Sequence, residues 1–401
     1  MKIHIKLSLQ GILFSLCLTF LLFNRTFPAV FAQDKKDGQV QALVQQLQDK
    51  DKQVRLAAIK EVKKLGVEAK AAIPALTLLL KEPEDDLREN AAEALGRMGV
   101  EARTAIPALI EALKDRAASV RGNAAFALAQ VGVEGRSAAP ALSELLNDRN
   151  AWTRGNAAFA LGKVGEAKSY LPSLIGLLND PNDNVRRDVA DAIGRAGAEA
   201  RAAVPAFIVL LKDKNASVRR YTAEALGRIG TEANAAIPGL IETLRDHEFV
   251  VRTYSAYALK QIGISAREGI PVWLALLKDG HEHLRSYAAD ALGAIGPEAK
   301  VATPALIEAL KDQDRFVRIS AAKALGKVGT EAKTAIPQLT ELLKDKEPLV
   351  RSNAADALGR MGIEAKATLP ALIELQKDQA AIVRLAATEA INKINSSETK
   401  P

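Results

Sequence analysis

The 401-residue chain has little of what most chemistry depends on: one cysteine, four histidines, two tryptophans, and aromatics at only 4%. The cysteine, Cys17, sits in an apolar stretch with Leu16 before it and more apolar residues after it. A lipid-bearing cysteine needs a small residue in front and a polar chain behind, so lipidation is not expected there. Past that stretch there is no cysteine at all, which excludes disulfides, thiol nucleophiles and sulfur-ligated metals. Scarce aromatics beside 48% hydrophobic residues argue for short helices packed through small side chains. A dominant charge sign is missing too. The formal +7 includes Lys2, Lys6 and Arg25, and the rest of the chain holds 52 basic against 48 acidic residues. A surplus so thinly spread is no nucleic-acid footprint, and no nucleic-acid partner is expected.

Only one long apolar run exists, Leu7–Phe23, behind the basic start Lys2 and Lys6. Val30-Phe31-Ala32 then offers small residues where a signal peptidase tests them. Residues 1–32 are therefore expected to be a signal peptide, with cleavage after Ala32. The alternative is an uncleaved anchor, since a stretch of 17 residues sits at the short limit for a span. Cleavage implies an exported chain in the periplasm or thylakoid lumen (or outside the cell), with no membrane attachment afterwards.

What the chain has in abundance is repetition. Proline recurs at Pro74, Pro107, Pro140, Pro172, Pro205, Pro238, Pro271, Pro304, Pro337 and Pro370, every 33 residues with one interval of 32. Arginine keeps the same period from Arg55 and Arg88 through Arg219 to Arg384, and Asp stands six residues before it, with Glu82 the sole substitute. Eleven units result, at 37–66, 67–99, 100–132, 133–165, 166–197, 198–230, 231–263, 264–296, 297–329, 330–362 and 363–395. Each unit reads as two helices. The first opens at the proline. The second is capped four residues before the arginine, by Asp51, Asn150, Asn182, Asn215 or Asp314, and ends at a glycine suited to a left-handed C-terminus. Neither helix can bury its apolar stripe alone, so units must stack. The core of the second helix is expected at positions such as Val120, Ala124, Ala125, Leu128 and Val131. The Asp–Arg rungs are expected to be partly exposed and worth about 0.2–1 kcal/mol each. The Gln-rich helix Gln39–Gln48 and the tail after Asn395 read as caps of one solenoid spanning 33–401.

The proline in the first helix, the turn Asp, the arginine six residues on and the VRxxAAxALGxIG run together resemble the HEAT repeat family, in its short form related to phycobilin-lyase repeats. The resemblance spans Asp37 to Asn395. It implies an all-α, right-handed solenoid of the armadillo/HEAT type whose second helices line the concave side. It also admits a second reading, a bilin (tetrapyrrole) lyase-like protein or chaperone, against which the signal segment counts.

Catalytic chemistry is hard to find. Di-iron hydroxylases of this repeat class carry His-Glu pairs directly after the repeat arginine. Here His247-Glu248 and His281-Glu282 precede Arg252 and Arg285, so they read as turn residues, and no metal or other cofactor is expected. No nucleophile–base pair or phosphate loop is present, and the LGxxG motifs read as helix ends. The basic row nine residues after the arginine (Arg97, Lys163, Arg195, Arg228, Lys327, Arg360, Lys393) stands four residues after acids such as Glu93, Asp191, Glu224 and Asp356. It reads as helix-stabilising i,i+4 pairs.

The aromatics are different. Positions two before and two, five and nine after the arginine share one helix face opposite the core. Eight of the twelve aromatics beyond the signal segment lie there. That face, with Asn123, Phe126, Trp152, Asn156, Phe159, Tyr221, Val250, Tyr254, Tyr257, His283, Tyr287, Phe316 and Leu349, is the expected site for a protein or peptide partner. The competing account is that each ring covers its neighbour's helix. The chain is expected to be a binding scaffold and not an enzyme.

Overall fold

The structure is a computed structural model that describes residues 37–264 and 266–397. The expected signal peptide, 1–32, lies outside the described residues. Every regular element among the described residues is helical, and none of these helices is long and apolar enough to cross a membrane. The chain divides into two compact units, one ending at Leu177 and one beginning at Leu178. The division falls inside 166–197, the repeat shortened by one residue.

Both units are stacks of one motif. In the first unit, Ile106–Ala112 packs against Ala118–Val131; in the second, Val204–Leu210 packs against Ala216–Ile229. A third element, not expected from the sequence, precedes the first helix: a seven-residue 3₁₀ helix such as Gly99–Ala105 or Gly230–Ala236. Runs this long are unusual. Its three-residue turn lets Ala102 and Ala105 point inward together, both fully buried. The first α-helix therefore starts one residue before its proline, which takes the second helical position.

In most repeats the glycine after the second helix turns the chain straight into this 3₁₀ segment; after Gly165 the chain instead runs through turns to Leu171–Leu177. Gly132 and Gly230 have φ near +70° with ψ near −140°. That region is open essentially to glycine alone, and it is not the left-handed helical conformation expected above. Gly263 does take the left-handed form, at φ 84° and ψ 51°. There no 3₁₀ segment follows, and the next helix runs unbroken over Ala266–Leu276.

The caps and the core follow the sequence. Side chains of Asp51, Asn150, Asn182, Asn215 and Asp314 each accept a backbone N–H of the helix they precede. Val120, Ala124, Ala125, Leu128 and Val131 are buried. The first glycine of the LGxxG motif is more than a helix end. A Cβ on Gly194, Gly326 or Gly359 would come within 2.7–2.9 Å of the Cα of Ala225, Ala357 or Ala390 in the next repeat's second helix. Only a residue without a side chain lets these backbones meet.

The arginine does not pair with the Asp of its own repeat as a carboxylate. Arg219 donates through Nη1 to the backbone carbonyl of Asp213 at 2.8 Å. Through Nε and Nη2 it grips the carboxylate of Asp246, in the next repeat, at 2.6 and 2.9 Å. Asp246 Oδ1 also accepts the N–H of Glu248, which holds the turn. The same bidentate bond joins Arg88 to Asp115 and Arg121 to Asp148 in the first unit. In the second unit it joins Arg186, Arg252, Arg285, Arg318 and Arg351 to the Asp 27 residues on. Arg55 faces Glu82 instead, and the approach loosens to 3.6 Å. The rungs are also more buried than expected: Arg219 and Asp246 have side chains 9% and 8% exposed. Desolvation makes a half-broken pair far more damaging than a surface one.

Two outcomes follow from the rungs. Arg219→Ala is expected to lower unfolding stability by about 3–5 kcal/mol, because it strands a buried carboxylate. Lys212→Ala, which breaks the exposed pair with Glu242, should change it by less than about 1 kcal/mol; urea titrations compare the two. Stability should also depend on acid. Burial pushes the carboxyl of Asp246 up, but the hydrogen bond from Arg219 and the Glu248 N–H outweigh it and hold it below the ordinary value. Asp115, Asp148, Asp213 and Asp279 balance the same way. Groups depressed on folding stabilise above the unfolded carboxylate pKa of about 3.9 and lose that contribution as pH falls through their folded values. Thermal scans should therefore give a flat Tm from pH 7 to about 5 and a steep fall below about 4.

Candidate functional site

The rows that share the outer face of the second helices are most uniform where they are charged. In the second unit, Arg228 binds Glu224 one turn back at 2.7 Å and reaches Asp191 of the preceding repeat at 2.8 Å. Arg195 pairs with Asp191, and Asp356 receives both Arg360 and Lys393. In the first unit, Glu93 receives Arg97 and Lys63. Four members of the basic row, Arg97, Arg195, Arg228 and Arg360, are thus spent on i,i+4 pairs, while Arg228 and Lys393 reach an acid one repeat away and Lys163 lies over the Phe159 ring instead. Asp188, which sequence reasoning passed over, lies in the same face: burial pushes its carboxyl up while Arg187 draws it down, with a net rise.

The aromatic residues interrupt this pattern, and the structure divides them by how much of each ring is already occupied. In the first unit the Phe126 ring lies over Gly96, where a Cβ would sit 3.0 Å from it. Lys163 lies 5.4 Å above the Phe159 ring. Trp152 rests on Gly122 so closely that a Cβ there would meet the indole at 2.1 Å, yet half of the residue, 50%, faces solvent. Asn156 donates to the Trp152 carbonyl. Asn123 is 8% exposed and its amide makes no hydrogen bond among the described residues.

In the second unit the tyrosines are largely engaged with their neighbours. Arg220 is stacked between Tyr221 and Tyr254, 4.3 and 4.4 Å from the ring centres, and donates to the Tyr254 hydroxyl at 2.8 Å. Tyr257 covers Gly227. Tyr287 lies under Lys260 and edge-on to the buried Trp273. Its hydroxyl is buried without a partner, and burial, then Tyr257 and Asp290, push its ionisation well above the usual range. Val250 is half-buried. His283, Phe316 and Leu349 remain open, in the row two before the arginine of consecutive repeats. Phe316 is 51% and Leu349 49% exposed.

Some features have no counterpart in the sequence reading. Phe249, one position off the aromatic row, is exposed and stacks on His281 at 4.1 Å. Ile382, two before Arg384, extends the open row into the last repeat, and Leu385, one after it, is exposed as well. Lys260 stands where Gly194, Gly227 and Gly293 stand in other repeats. Its bulk holds Phe249–Ile262 and Glu282–Ile295 together along less of their length than other successive second helices of this unit. A cleft of about 320 Å³ opens there, lined by Ile264, Trp273, Ala291, Ile295 and Glu298. The helical register, with lysine at the glycine position, was the available signal. The His247 side chain is mostly exposed in its turn, near Asp246 and Glu248. No group of His, Cys, Asp and Glu fit to hold a metal occurs among the described residues.

The family model for HEAT repeats matches residues 40–117, 106–190, 171–260, 270–335 and 303–392. The chain belongs to the HEAT-repeat family. Among solved structures, this HEAT chain is similar to an engineered protein at 22% identity and a TM-score of 0.57, over 80% of this chain and 98% of that one; the likeness concerns the fold. It is also similar to the Escherichia coli protein YibA, at 25% identity and a TM-score of 0.48, over 63% of this chain and 91% of that one. No curated protein matches the chain.

The seating of Trp152 gives a direct check on the face. Gly122→Ala should lift the indole off its helix, red-shift the tryptophan emission and lower stability by about 1–3 kcal/mol. Gly176→Ala, with no heavy atom near the added Cβ, should do neither.

Proposed function

We propose that this HEAT protein is an exported scaffold that binds a protein or peptide partner through the face of its second helices, with no covalent step. The observation that supports this most is the open apolar row of the second unit. Phe316 and Leu349 hold equivalent positions in successive repeats, each about half exposed, where other repeats carry Ser119 and Ser217. Folding gains little from large apolar side chains left in water. Clustered on a rigid stack, they provide the desolvated anchors on which interfaces depend. His283 continues the row with a side chain that is both flat and polar. Export is part of the proposal and rests on the N-terminal signal pattern.

The test is affinity capture from an exported-protein extract with the chain beginning at Gln33, beside a Phe316→Asp/Leu349→Asp variant. Both side chains are half exposed, so the variant should keep its helicity and its melting temperature within about 2 °C. A partner held by the parent and released by the variant is expected. The same partner held equally by both would overturn the assignment to this face.

A further inference from the structure

The first unit contains a short stretch of the outer face that is without carboxylates. In the repeat of Arg88 the outward rows hold Asp86, Asn90, Glu93 and Arg97. In the next two they hold Ser119, Asn123, Phe126 and Gln130, then Trp152, Asn156, Phe159 and Lys163. The one charge left, on Lys163, lies against the Phe159 ring. At a helix spacing of roughly 8–10 Å this neutral window is about 20 Å across.

Two features in the window are unspent. Trp152 is held flat on the Gly122 backbone, so its position is fixed while half of it faces solvent. Asn123, beside that glycine, is nine-tenths buried with its amide unbonded. Asparagines in the same row are satisfied: Asn90 donates to the Asp86 carbonyl and accepts from Lys63, Asn156 donates to the Trp152 carbonyl, and Asn353 donates to that of Leu349. That amide still reaches solvent, so it is open to a ligand, and it can both donate and accept. A ligand that uses both features must bring no charge, lay a flat apolar face on the indole, and present a small group with both hydrogen-bonding capacities to Asn123.

We infer that this window binds an uncharged saccharide. A pyranose ring has an apolar C–H face for Trp152, and hydroxyls that donate and accept for Asn123. The inference concerns the first unit and does not depend on the partner row of the second.

The test is titration of the folded chain with neutral trisaccharides (β-linked glucose, α-linked glucose and β-linked N-acetylglucosamine), followed by tryptophan emission and calorimetry. The other tryptophan, Trp273, is buried, so a change in the exposed signal reports on Trp152. At least one sugar is expected to give a saturable blue shift. Asn123→Ala should weaken it by about tenfold, Trp152→Ala should abolish calorimetric binding, and Phe316→Asp/Leu349→Asp should leave it intact. Circular dichroism checks that each variant is folded. No saturable signal with any of the three, binding that survives Trp152→Ala, or displacement of the sugar from this site by a neutral Gly/Ser/Asn peptide that binds more tightly would each overturn the inference.

Discussion

The forward-reaching arginine is the bond on which the arrangement of each unit depends. One guanidinium carries two tasks: it ties the carbonyl of its own turn and, by a bidentate grip, the carboxylate of the next. The planar fork suits this double duty in a way an ammonium cannot. The caught carboxylate in turn accepts the N–H two residues on, which sets where the next second helix begins. Each repeat thus fixes the starting phase of its successor. Without that constraint the side-chain rows on the outer face would drift, and residues 33 apart would not share a surface. Arg55 and Glu82 show the sensitivity: one extra methylene in the acid loosens the approach.

Small residues set the second constraint, because they decide how closely successive second helices meet. Glycine against alanine brings backbone to backbone, and dispersion between close-packed helices adds up over many such contacts. The same need explains where the rings are tolerated. Phe126, Trp152 and Tyr257 each occupy the space above a glycine in the preceding repeat, so an aromatic on the outer face is matched by a missing side chain 30 residues earlier. Lys260 reverses the exchange, with a long side chain at the glycine position and the indole of Trp273 filling the core behind it.

Period, repeat boundaries, capping residues and core positions were legible in the sequence, since each is a local rule repeated many times. The pairing of the rungs was not. Asp and Arg six apart invite an internal pair, and nothing in one repeat says the carboxylate belongs to the repeat before. The 3₁₀ segment left a trace, alanines three apart after the glycine, but that spacing alone does not separate a 3₁₀ turn from a loop. For the outer face the sequence told which side a residue occupies, not how much of it is free. Tyr254 and Phe316 belong to the same face by register, yet one is stacked on Arg220 and the other is open. The difference lies in the neighbour's hold: Arg220 stacks on Tyr254 and also binds its hydroxyl, whereas Arg315 lies 4.9 Å from the Phe316 ring centre and leaves half of that residue in solvent. Phe249 escaped for the converse reason, since its exposure comes from the end of the helix and not from the face.

In a chain of near-identical units, recognition can only be written as departure from the repeat's own rule. An acid and a base four apart close part of the outer face in the repeats of Arg88, Arg186, Arg219 and Arg351, and there the surface is already satisfied. Phe126 and Phe159 remove the acid from two consecutive repeats of the first unit, which leaves a window without ions. Phe316 and Leu349 put apolar bulk where Ser119 and Ser217 show that a small polar residue suffices. Neither change strengthens the stack: the first deletes ion pairs, and the second places apolar surface in water. Because the rungs hold the repeats within each unit at a fixed phase, such local losses do not disturb the neighbours, and each unit can carry a surface of its own.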